Sequence, residues 1–372
     1  MNTHVATLRR EVAAARARGR KEMYALAAQQ VLLGLMPVAV LIWEASLVLG
    51  SPRSVAALDF HDAYYVAGYR LLHGGDPYAW THTEINAGVA FVYPAFSALF
   101  FAPFALIGEG AAGVLFTFVC IALTPLTLWV LRVRDRRIYG VTLLWLPVFS
   151  AWQSANETIL LVFIAALVWR YRGNPIVAGA LTAAAISLKP VMWPLALWLL
   201  ATRRWRASGY GLAAGLLINL VSWSAVGFGK VGVYLRDSGL DTHHSWRAGY
   251  GVAAAFGHLG FSRSFGDVMT VMLCVALVAA IVYVAFVKHR EGQALTLTII
   301  LMLAASPLVW AHYFALLLIP MALEHPRMSW LWALPVLMWV CPQSWHVHTW
   351  QEALAWLLAG TMFVSALRAA RE

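Results

Sequence analysis

Acidic side chains at a regular spacing follow the first long apolar run of the chain. Asp59, Asp62 and Tyr65 are each three residues from the next, so on a helix they would share one face. A carboxylate acts as a general base when it lies within hydrogen-bond reach of the hydroxyl that it deprotonates. Asp59 is therefore a candidate catalytic base, and the alternative is that it caps the N-terminus of the helix.

Polar residues also interrupt long apolar stretches further along the chain. Lys189 lies inside the apolar run 175–201, where an ionisable group is costly and is a functional candidate by default. A lysine there suits a phosphate group, and the alternative is that it snorkels to the interface. His312 is a candidate proton carrier or a donor to a backbone carbonyl. Asn156 and Gln153 could hold sugar hydroxyls or cap a helix.

The composition indicates the solvent in which these residues work. Of the 372 residues, 61% are hydrophobic and 12% are charged, whereas a soluble domain is about half apolar and about one quarter charged. This excludes a disordered chain, a disulfide scaffold and an ordinary soluble enzyme. The formal charge of +10 comes from basic residues that fall between apolar segments, which indicates membrane orientation rather than nucleic-acid binding.

Histidine pairs and cysteines are the remaining candidates for metal binding. No carboxylate or cysteine stands at a recognised metal spacing beside the histidines, and the cysteines lie in or at the end of apolar runs. We therefore predict no metal ion and no cofactor. The residues concerned are His243, His244, His346, His348, Cys120, Cys274 and Cys341.

Basic clusters separated by a single apolar run predict how the chain crosses the membrane. A full span needs roughly 20 residues, and several of these runs are too long for one helix. If all the basic clusters are cytoplasmic, each run must cross and return. Each run carries polar residues with a helix breaker or turn former at its middle, at Gln153 to Asn156, Lys189-Pro190 and Ser306-Pro307. We predict hairpins of short helices whose tips converge on a polar cavity at the non-cytoplasmic surface.

The fold class that follows is an all-α polytopic membrane protein with short hairpin helices and amphipathic juxtamembrane helices in its outer loops. We expect a cytoplasmic basic N-terminal segment, one polytopic transmembrane domain with two outer loops, and a cytoplasmic tail. Their bounds are 1–22, 23–367 with loops at about 51–88 and 229–266, and 368–372.

One section does not fit this topology. Two crossings between Val89 and Leu131 would return the chain to the outside and place the cluster from Arg132 to Arg137 on the wrong face. Either one of these two runs is re-entrant or the cluster is extracytoplasmic.

Several longer segments stand in order along the chain. They are DFHDAYYVAGYRLLHGGDPY (59–78), FVYPAFSALFFAPFALIG (91–108), SANETILL (154–161), AGALTAAAISLKPVMWPLALWLLATRRWRA (178–207) and SPLVWAHYFALLLIP (306–320). Together they resemble glycosyltransferase family 87 of the GT-C superfamily. Members of that family are polytopic enzymes that include polyprenyl-phosphate-mannose-dependent α-mannosyltransferases.

The resemblance implies transfer of a hexose from a polyprenyl-phosphate donor to an acceptor hydroxyl of a lipid or glycan. Mannose is the hexose expected before others. Transfer would invert the anomeric centre and take place on the non-cytoplasmic face of a bacterial inner (plasma) membrane, with the N-terminus cytoplasmic. Asp59 would be the general base, Lys189 would steady the donor phosphate, and His312 would be a second polar group at the donor or acceptor. The polyprenyl-phosphate sugar is a donor substrate rather than a cofactor. The expected partners are this donor, the acceptor and membrane lipids, and no nucleic acid is expected.

Further candidates for binding the donor phosphate or sugar are Asn156, Asp62, Tyr65, Arg70 and Tyr93. Two alternatives to a hexosyltransferase stay open at this point. One is a pentosyl- or other sugar transferase that uses a lipid-linked donor. The other is a lipid or sugar transporter, which would predict inverted-repeat halves and charged residues at the bilayer midplane. A non-catalytic scaffold would not need the candidate base at all.

Overall fold

The computed structural model describes residues 12–14, 16–50, 57–341 and 347–369. Helices make up 80% of the structure, and the described residues form no strand, which confirms the predicted all-α fold. The α-helices are α1 Arg20–Gln30, α2 Met36–Gly50, α3 Val66–Leu72, α4 His82–Asn86, α5 Ala95–Phe101, α6 Glu109–Val130, α7 Arg136–Leu143, α8 Leu146–Gln153, α9 Thr158–Arg170, α10 Pro175–Leu188, α11 Pro194–Ala201, α12 Trp205–Val226, α13 Val231–Ser245, α14 Val252–His258, α15 Arg263–Val282, α16 Glu291–Ala305, α17 Leu318–Glu324 and α18 Thr349–Ala369. The π-helical segments are Val31–Leu35, Phe60–Tyr65 and Tyr283–Val287. The 3-10 segments are Ala102–Leu106, Pro190–Met192, Phe228–Lys230, Ala311–Leu317 and Trp330–Val340.

Long apolar helices give the chain its membrane-spanning character. Within the described residues, four helical stretches are long and apolar enough to cross a bilayer: Arg20–Leu47, Glu109–Val130, Trp205–Val226 and Arg263–Val287. Shorter apolar helices of 10–17 residues accompany them. The chain is therefore an integral membrane protein with several spans, as its composition predicts.

The long apolar runs fold back on themselves at the breaks that the sequence predicts. α8 ends at Gln153 and α9 begins at Thr158, because Ala155 adopts a left-handed φ of 47° that no α-helix continues. α10 ends at Leu188, since Lys189 precedes a proline and is extended at φ −144° and ψ 113°. α16 ends at Ala305 before extended Ser306. The α9 and α10 legs have 13 and 14 residues, about 20 Å at 1.5 Å per residue, which is less than the hydrocarbon core.

The turns at the opposite ends of these hairpins meet around one carboxylate. Arg172 Nε donates to Glu291 Oε2 at 3.1 Å, and Arg204 Nη2 donates to Glu291 Oε1 at 2.6 Å. Arg204 Nη1 also donates to the carbonyl of Arg172 at 2.6 Å. We call this region, formed by Arg172, Arg204 and Glu291, the basic end. It fixes the three hairpins to one another on the side away from their tips.

The packing of the segment Ala95–Leu106 bears on the section that did not fit. Tyr93, just before it, lies 3.2 Å from the hydroxyl of Tyr64, and the carbonyl of Ile107, just after it, accepts from the hydroxyl of Tyr65 at 3.4 Å. Both ends of the segment therefore contact neighbouring residues of one short helix. Of the two alternatives, this packing favours the re-entrant run.

The cluster from Arg132 to Arg137 consequently lies at the other end of α6. Asp135, within that cluster, accepts from the backbone N–H of Met328 at 2.9 Å. Met328 follows α17, whose last residue Glu324 lies against Gly292 beside the basic end. The cluster is thus on the same side of the protein as Glu291, in agreement with a common orientation for the basic residues.

The first-loop helix packs its apolar side on the re-entrant segment. Phe60, Tyr64 and Ala67 are fully buried on that side. A Cβ at Gly68 would lie 2.8 Å from the backbone carbon of Phe101, so only glycine allows this approach. The winding is π-helical from Phe60 to Tyr65, which changes the direction of every side chain in the turn.

Candidate active site

A cavity of about 460 Å³ opens where the hairpin tips and the two loops meet. This volume is within the range of small-molecule sites, about 300–1,000 Å³. Its polar and aromatic lining side chains are Asp59, Asp62, Tyr93, Ser150, Gln153, Ser154, Asn156, Asp241, Trp310 and His312. The cavity thus brings together residues from distant parts of the chain: the first loop, the tip between α8 and α9, the second loop, and the tip after α16.

Asp59 is held at the cavity by the tip between α8 and α9. Its backbone N–H donates to the carbonyl of Ser154 at 3.1 Å, and Asn156 Nδ2 donates to its Oδ2 at 2.7 Å. The carboxylate is half-buried. Burial raises the pKa of Asp59, while the hydrogen bond from Asn156 and the charge of Lys189 act in the opposite direction. The result is an oriented carboxylate of increased basicity that faces the cavity.

Asn156 is fixed in one orientation by its neighbours. Its Oδ1 accepts from the backbone N–H of Thr158 at 2.9 Å and from the Thr158 hydroxyl at 2.6 Å. The amide nitrogen must therefore point the other way, towards Asp59 and the hydroxyl of Tyr64, which is 3.2 Å away. Asn156 therefore accepts from the first backbone N–H of α9 and orients Asp59 with the same side chain.

Lys189 lies behind the cavity wall rather than in it. Its side chain is buried, and its Nζ lies 5.2 Å from the ring centroid of Tyr93 and 4.6 Å from that of Tyr313. Its Nζ is 3.7 Å from Glu157 Oε1, and Glu157 is fully buried. Tyr93 lines the cavity, whereas Lys189 does not. The lysine charge is thus compensated by Glu157 and two aromatic faces.

His312 lines the cavity from the tip that follows α16. It is the second residue of the 3-10 segment Ala311–Leu317, and its ring centroid lies 5.0 Å from that of Tyr313. The side chain is 6% exposed, and within the described part of the chain its Nε2 has no hydrogen-bond partner. A buried ring nitrogen of this kind is available to a bound molecule.

Three candidate residues have different surroundings. Asp62 lines the cavity at its exposed rim. Tyr65 is buried and donates to the carbonyl of Ile107. Arg70 donates to the carbonyl of Ala79 at 2.9 Å and lies 4.2 Å from the ring centroid of Trp80, so it stabilises the loop instead of lining the cavity.

The prediction that Asp59, Asp62 and Tyr65 share one face is wrong. A spacing of three residues aligns side chains on an α-helix, but Phe60–Tyr65 is wound as a π-helix with more residues per turn. Asp59 and Asp62 both reach the cavity, while Tyr65 is turned away towards the re-entrant segment.

Two acidic residues near the cavity were missed by sequence reasoning. Glu157 directly follows Asn156 at the start of an apolar run, and a carboxylate in that position is a signal that could have identified it. Asp241 lies on α13 and lines the cavity. No motif marks it in the sequence, because its role depends on how the second loop folds over the tips.

The histidines that could ligate a metal do not come together with acidic or cysteine side chains in the described residues. In the described ranges, no group of three or more His, Cys, Asp or Glu side chains is arranged to hold a metal ion. His243 Nδ1 lies 2.6 Å from Arg263 Nη1, so its partner is a cation. His346 lies outside the described residues.

The family model for glycosyltransferase family 87 matches residues 91–309, which is more than half of the chain. No curated protein and no solved structure matches the chain. The matched range contains the tips with Asn156 and Lys189 and ends three residues before His312.

Proposed function

Since the chain belongs to glycosyltransferase family 87 and is a membrane glycosyltransferase, we propose that it transfers a hexose from a polyprenyl-phosphate donor to an acceptor hydroxyl. Mannose is the first candidate for this hexose. Membership of a glycosyltransferase family decides between enzyme and transporter in favour of the enzyme. The acceptor is a lipid or glycan. The observation that carries the proposal is the oriented, half-buried Asp59 carboxylate in a cavity at the hairpin tips.

The proposed reaction needs one base and little acid catalysis. Asp59 takes the proton of the acceptor hydroxyl while that oxygen attacks the anomeric carbon. The bond from the anomeric carbon to the phosphate oxygen breaks on the opposite face, so the polyprenyl phosphate leaves and the configuration inverts. The charge that develops on the phosphate needs positive or hydrogen-bonding groups near it rather than a strong acid.

The donor phosphate is proposed to lie against Tyr93 and His312. Lys189 is behind this part of the wall, with its Nζ 5.2 Å from the Tyr93 ring centroid. Its charge reaches the phosphate through space, or directly if the Tyr93 ring turns aside. His312 Nε2, which is buried and without a partner in the described structure, would donate to a phosphate or sugar oxygen.

The topology proposed for this reaction follows from the basic end. Basic residues mark the cytoplasmic side of membrane proteins. Arg172 and Arg204 lie with Glu291 at the end of the hairpins opposite to the tips. The cavity would therefore open on the non-cytoplasmic face, within reach of a donor whose prenyl tail stays in the bilayer.

Transfer can be measured with the full chain in lipid nanodiscs, radiolabelled polyprenyl-phosphate mannose and a panel of octyl hexosides. Donors that carry glucose or a pentose identify the sugar. Asp59→Asn should lower the rate about 10²–10⁴-fold, the usual contribution of a general base, with donor binding retained. Asp267→Asn is the matched control, since this carboxylate is exposed and pairs with Arg263 on α15. Normal turnover by Asp59→Asn would remove Asp59 as the base.

A further inference from the structure

Two tyrosine hydroxyls connect the amide of Asn156 with the cavity by a second route. Asn156 Nδ2 donates to Asp59 Oδ2 at 2.7 Å and to the hydroxyl of Tyr64 at 3.2 Å. The hydroxyl of Tyr64 in turn lies 3.2 Å from the hydroxyl of Tyr93, a residue that lines the cavity. One amide therefore begins two series of hydrogen bonds, a direct one to the carboxylate of Asp59 and another through two phenols to Tyr93.

Burial fixes the direction of the hydrogen bond between the two phenols. The Asn156 nitrogen can only donate, so the Tyr64 oxygen accepts from it and the hydrogen of Tyr64 needs an acceptor of its own. Tyr64 is fully buried, and within the described residues its hydroxyl is hydrogen-bonded to Asn156 and Tyr93 alone. The opposite direction would leave the Tyr64 hydrogen buried without a partner, which costs free energy. Tyr64 consequently donates to Tyr93.

The hydrogen of the Tyr93 hydroxyl is then available to a bound molecule. Its oxygen accepts from Tyr64, and among the described residues no side chain or carbonyl accepts its hydrogen. Tyr93 is half-buried and lines the cavity, whereas Tyr64 does not. The series of hydrogen bonds therefore ends in a donor at the cavity wall.

Further contacts restrain Tyr93 in this position. The hydroxyl of Tyr78 donates to the backbone carbonyl of Tyr93 at 2.7 Å, and Lys189 Nζ lies 5.2 Å from the centroid of its ring. Burial raises the pKa of both Tyr64 and Tyr93, so both phenols keep their hydrogens at neutral pH. Tyr93 is thus a restrained donor without charge.

We propose that Tyr64 is a positioning residue that directs the hydroxyl of Tyr93, as a hydrogen-bond donor, to an oxygen atom of a bound substrate. The inference rests on the proposed function, in which the donor phosphate lies against Tyr93. Hydrogen bonds in series polarise one another, so the bond from Tyr64 makes Tyr93 a stronger donor. A phosphate oxygen and a sugar oxygen can both accept such a bond, and the substrate whose KM changes identifies which one does.

A double-mutant cycle tests whether Tyr64 acts through Tyr93. Tyr93→Phe should raise the donor KM about tenfold, because a hydrogen bond to a charged group is lost. Tyr64→Phe keeps the ring that stacks on Phe101 with centroids 4.5 Å apart, and it should raise the same KM about fivefold, the value of one neutral hydrogen bond. Added to Tyr93→Phe, the Tyr64→Phe change should alter that KM less than about twofold, since the two residues act as one unit.

The pH profile separates this role from an effect on the base. Tyr64→Phe leaves the hydrogen bond from Asn156 to Asp59 in place, so the acidic limb of kcat/KM should stay at its wild-type position. A general disturbance of the tip would move that limb. Tyr139→Phe is the matched control, because it also removes one tyrosine hydroxyl, which donates to the carbonyl of Val133 at 2.9 Å. It should change neither KM.

The possible failures are distinct. Unchanged KM values for both substrates in Tyr64→Phe, an undiminished effect of that change in the Tyr93→Phe background, or a displaced acidic limb would overturn the role of Tyr64 while leaving the transferase intact. A rise in the acceptor KM instead of the donor KM, with the same non-additivity, would support the role of Tyr64 and move the donor phosphate away from Tyr93.

Absence of wild-type transfer from every polyprenyl-phosphate donor to every octyl hexoside would overturn the proposed function, and this inference with it. If Tyr64→Phe does not fold, Tyr93→Phe decides. Unchanged KM values for both substrates in that variant would show that the Tyr93 hydroxyl donates to neither substrate, and the inference would be overturned.

Discussion

Asn156→Ala tests whether the orientation and basicity of Asp59 depend on a single side chain. The substitution removes the 2.7 Å hydrogen bond from Nδ2 to Asp59 Oδ2. It also removes the cap on the backbone N–H of Thr158. The first loss acts on the base, and the second acts on helix α9, so the two effects need separate measurements.

The size of the catalytic effect follows from the type of bond. A hydrogen bond to a charged group contributes about 1.5–3 kcal/mol, and Asp59 is half-buried, so water replaces part of it. A net loss near 1.5 kcal/mol corresponds to about a tenfold decrease in kcat/KM at neutral pH.

The pH profile gives a second and more specific signature. The hydrogen bond from Asn156 lowers the pKa of Asp59, whose burial has already raised it. Without that bond the pKa rises further. A general base must be deprotonated, so activity is lost as pH falls through its pKa. The acidic limb of kcat/KM should therefore move to higher pH in Asn156→Ala.

Asn174→Ala is the matched control for this experiment. Asn174 Oδ1 accepts from the backbone N–H of Val177 and so caps α10, but it lies at the opposite end of that helix from Lys189. Both variants should lose about 1 kcal/mol of stability through the missing cap. An acidic limb that stays in place or moves to lower pH in Asn156→Ala would refute the reasoning.

Other consequences of the structure can be measured directly. Lys189→Ala should raise the donor KM more than the acceptor KM. It should also destabilise the chain by about 3–5 kcal/mol, because Glu157 is left buried and unpaired. Adding Glu157→Gln to Lys189→Ala should recover most of the lost thermal stability. A double variant that is no more stable than Lys189→Ala alone would contradict the ion pair. Gly68→Ala should lower the free energy of unfolding by about 1–3 kcal/mol through overpacking, since its Cβ would lie 2.8 Å from the backbone of Phe101. Gly209→Ala is the control, because its Cβ would meet nothing within 4 Å. Equal melting temperatures of the two variants would argue against the close approach at Gly68. Transfer should survive a chelator; loss of activity that Mg²⁺ or Mn²⁺ restores would show a metal requirement.

The helix breaks were predictable because they depend on local chemistry. Pro190 forces the residue before it out of the helical region, and the polar residues around Asn156 provide a turn. The path of the segment Ala95–Leu106 was not decided by sequence, since its ends are held by contacts of Tyr93 and Ile107 with residues 29 and 42 positions away in the chain. Local propensity contains no information on such contacts.

The candidate site was predicted in part for the same reason. Asp59, Asn156 and His312 stand beside breaks that the sequence shows, and the cavity brings them together. Tyr65 was misplaced because a π-helical turn cannot be distinguished from an α-helical one by a spacing of three. Asp241 was missed because its proximity to the tips arises only when the second loop folds over them.

The basic end limits where the molecule can change shape. Glu291 receives guanidinium groups from two different turns, so a single carboxylate sets the spacing of the hairpins at their bases. If the tips separate to admit a substrate, that movement must occur by bending along the short legs or by displacement of the covering loops. The basic end therefore joins the hairpins at their bases, and the cavity lies at the end where no such shared carboxylate joins the described tips.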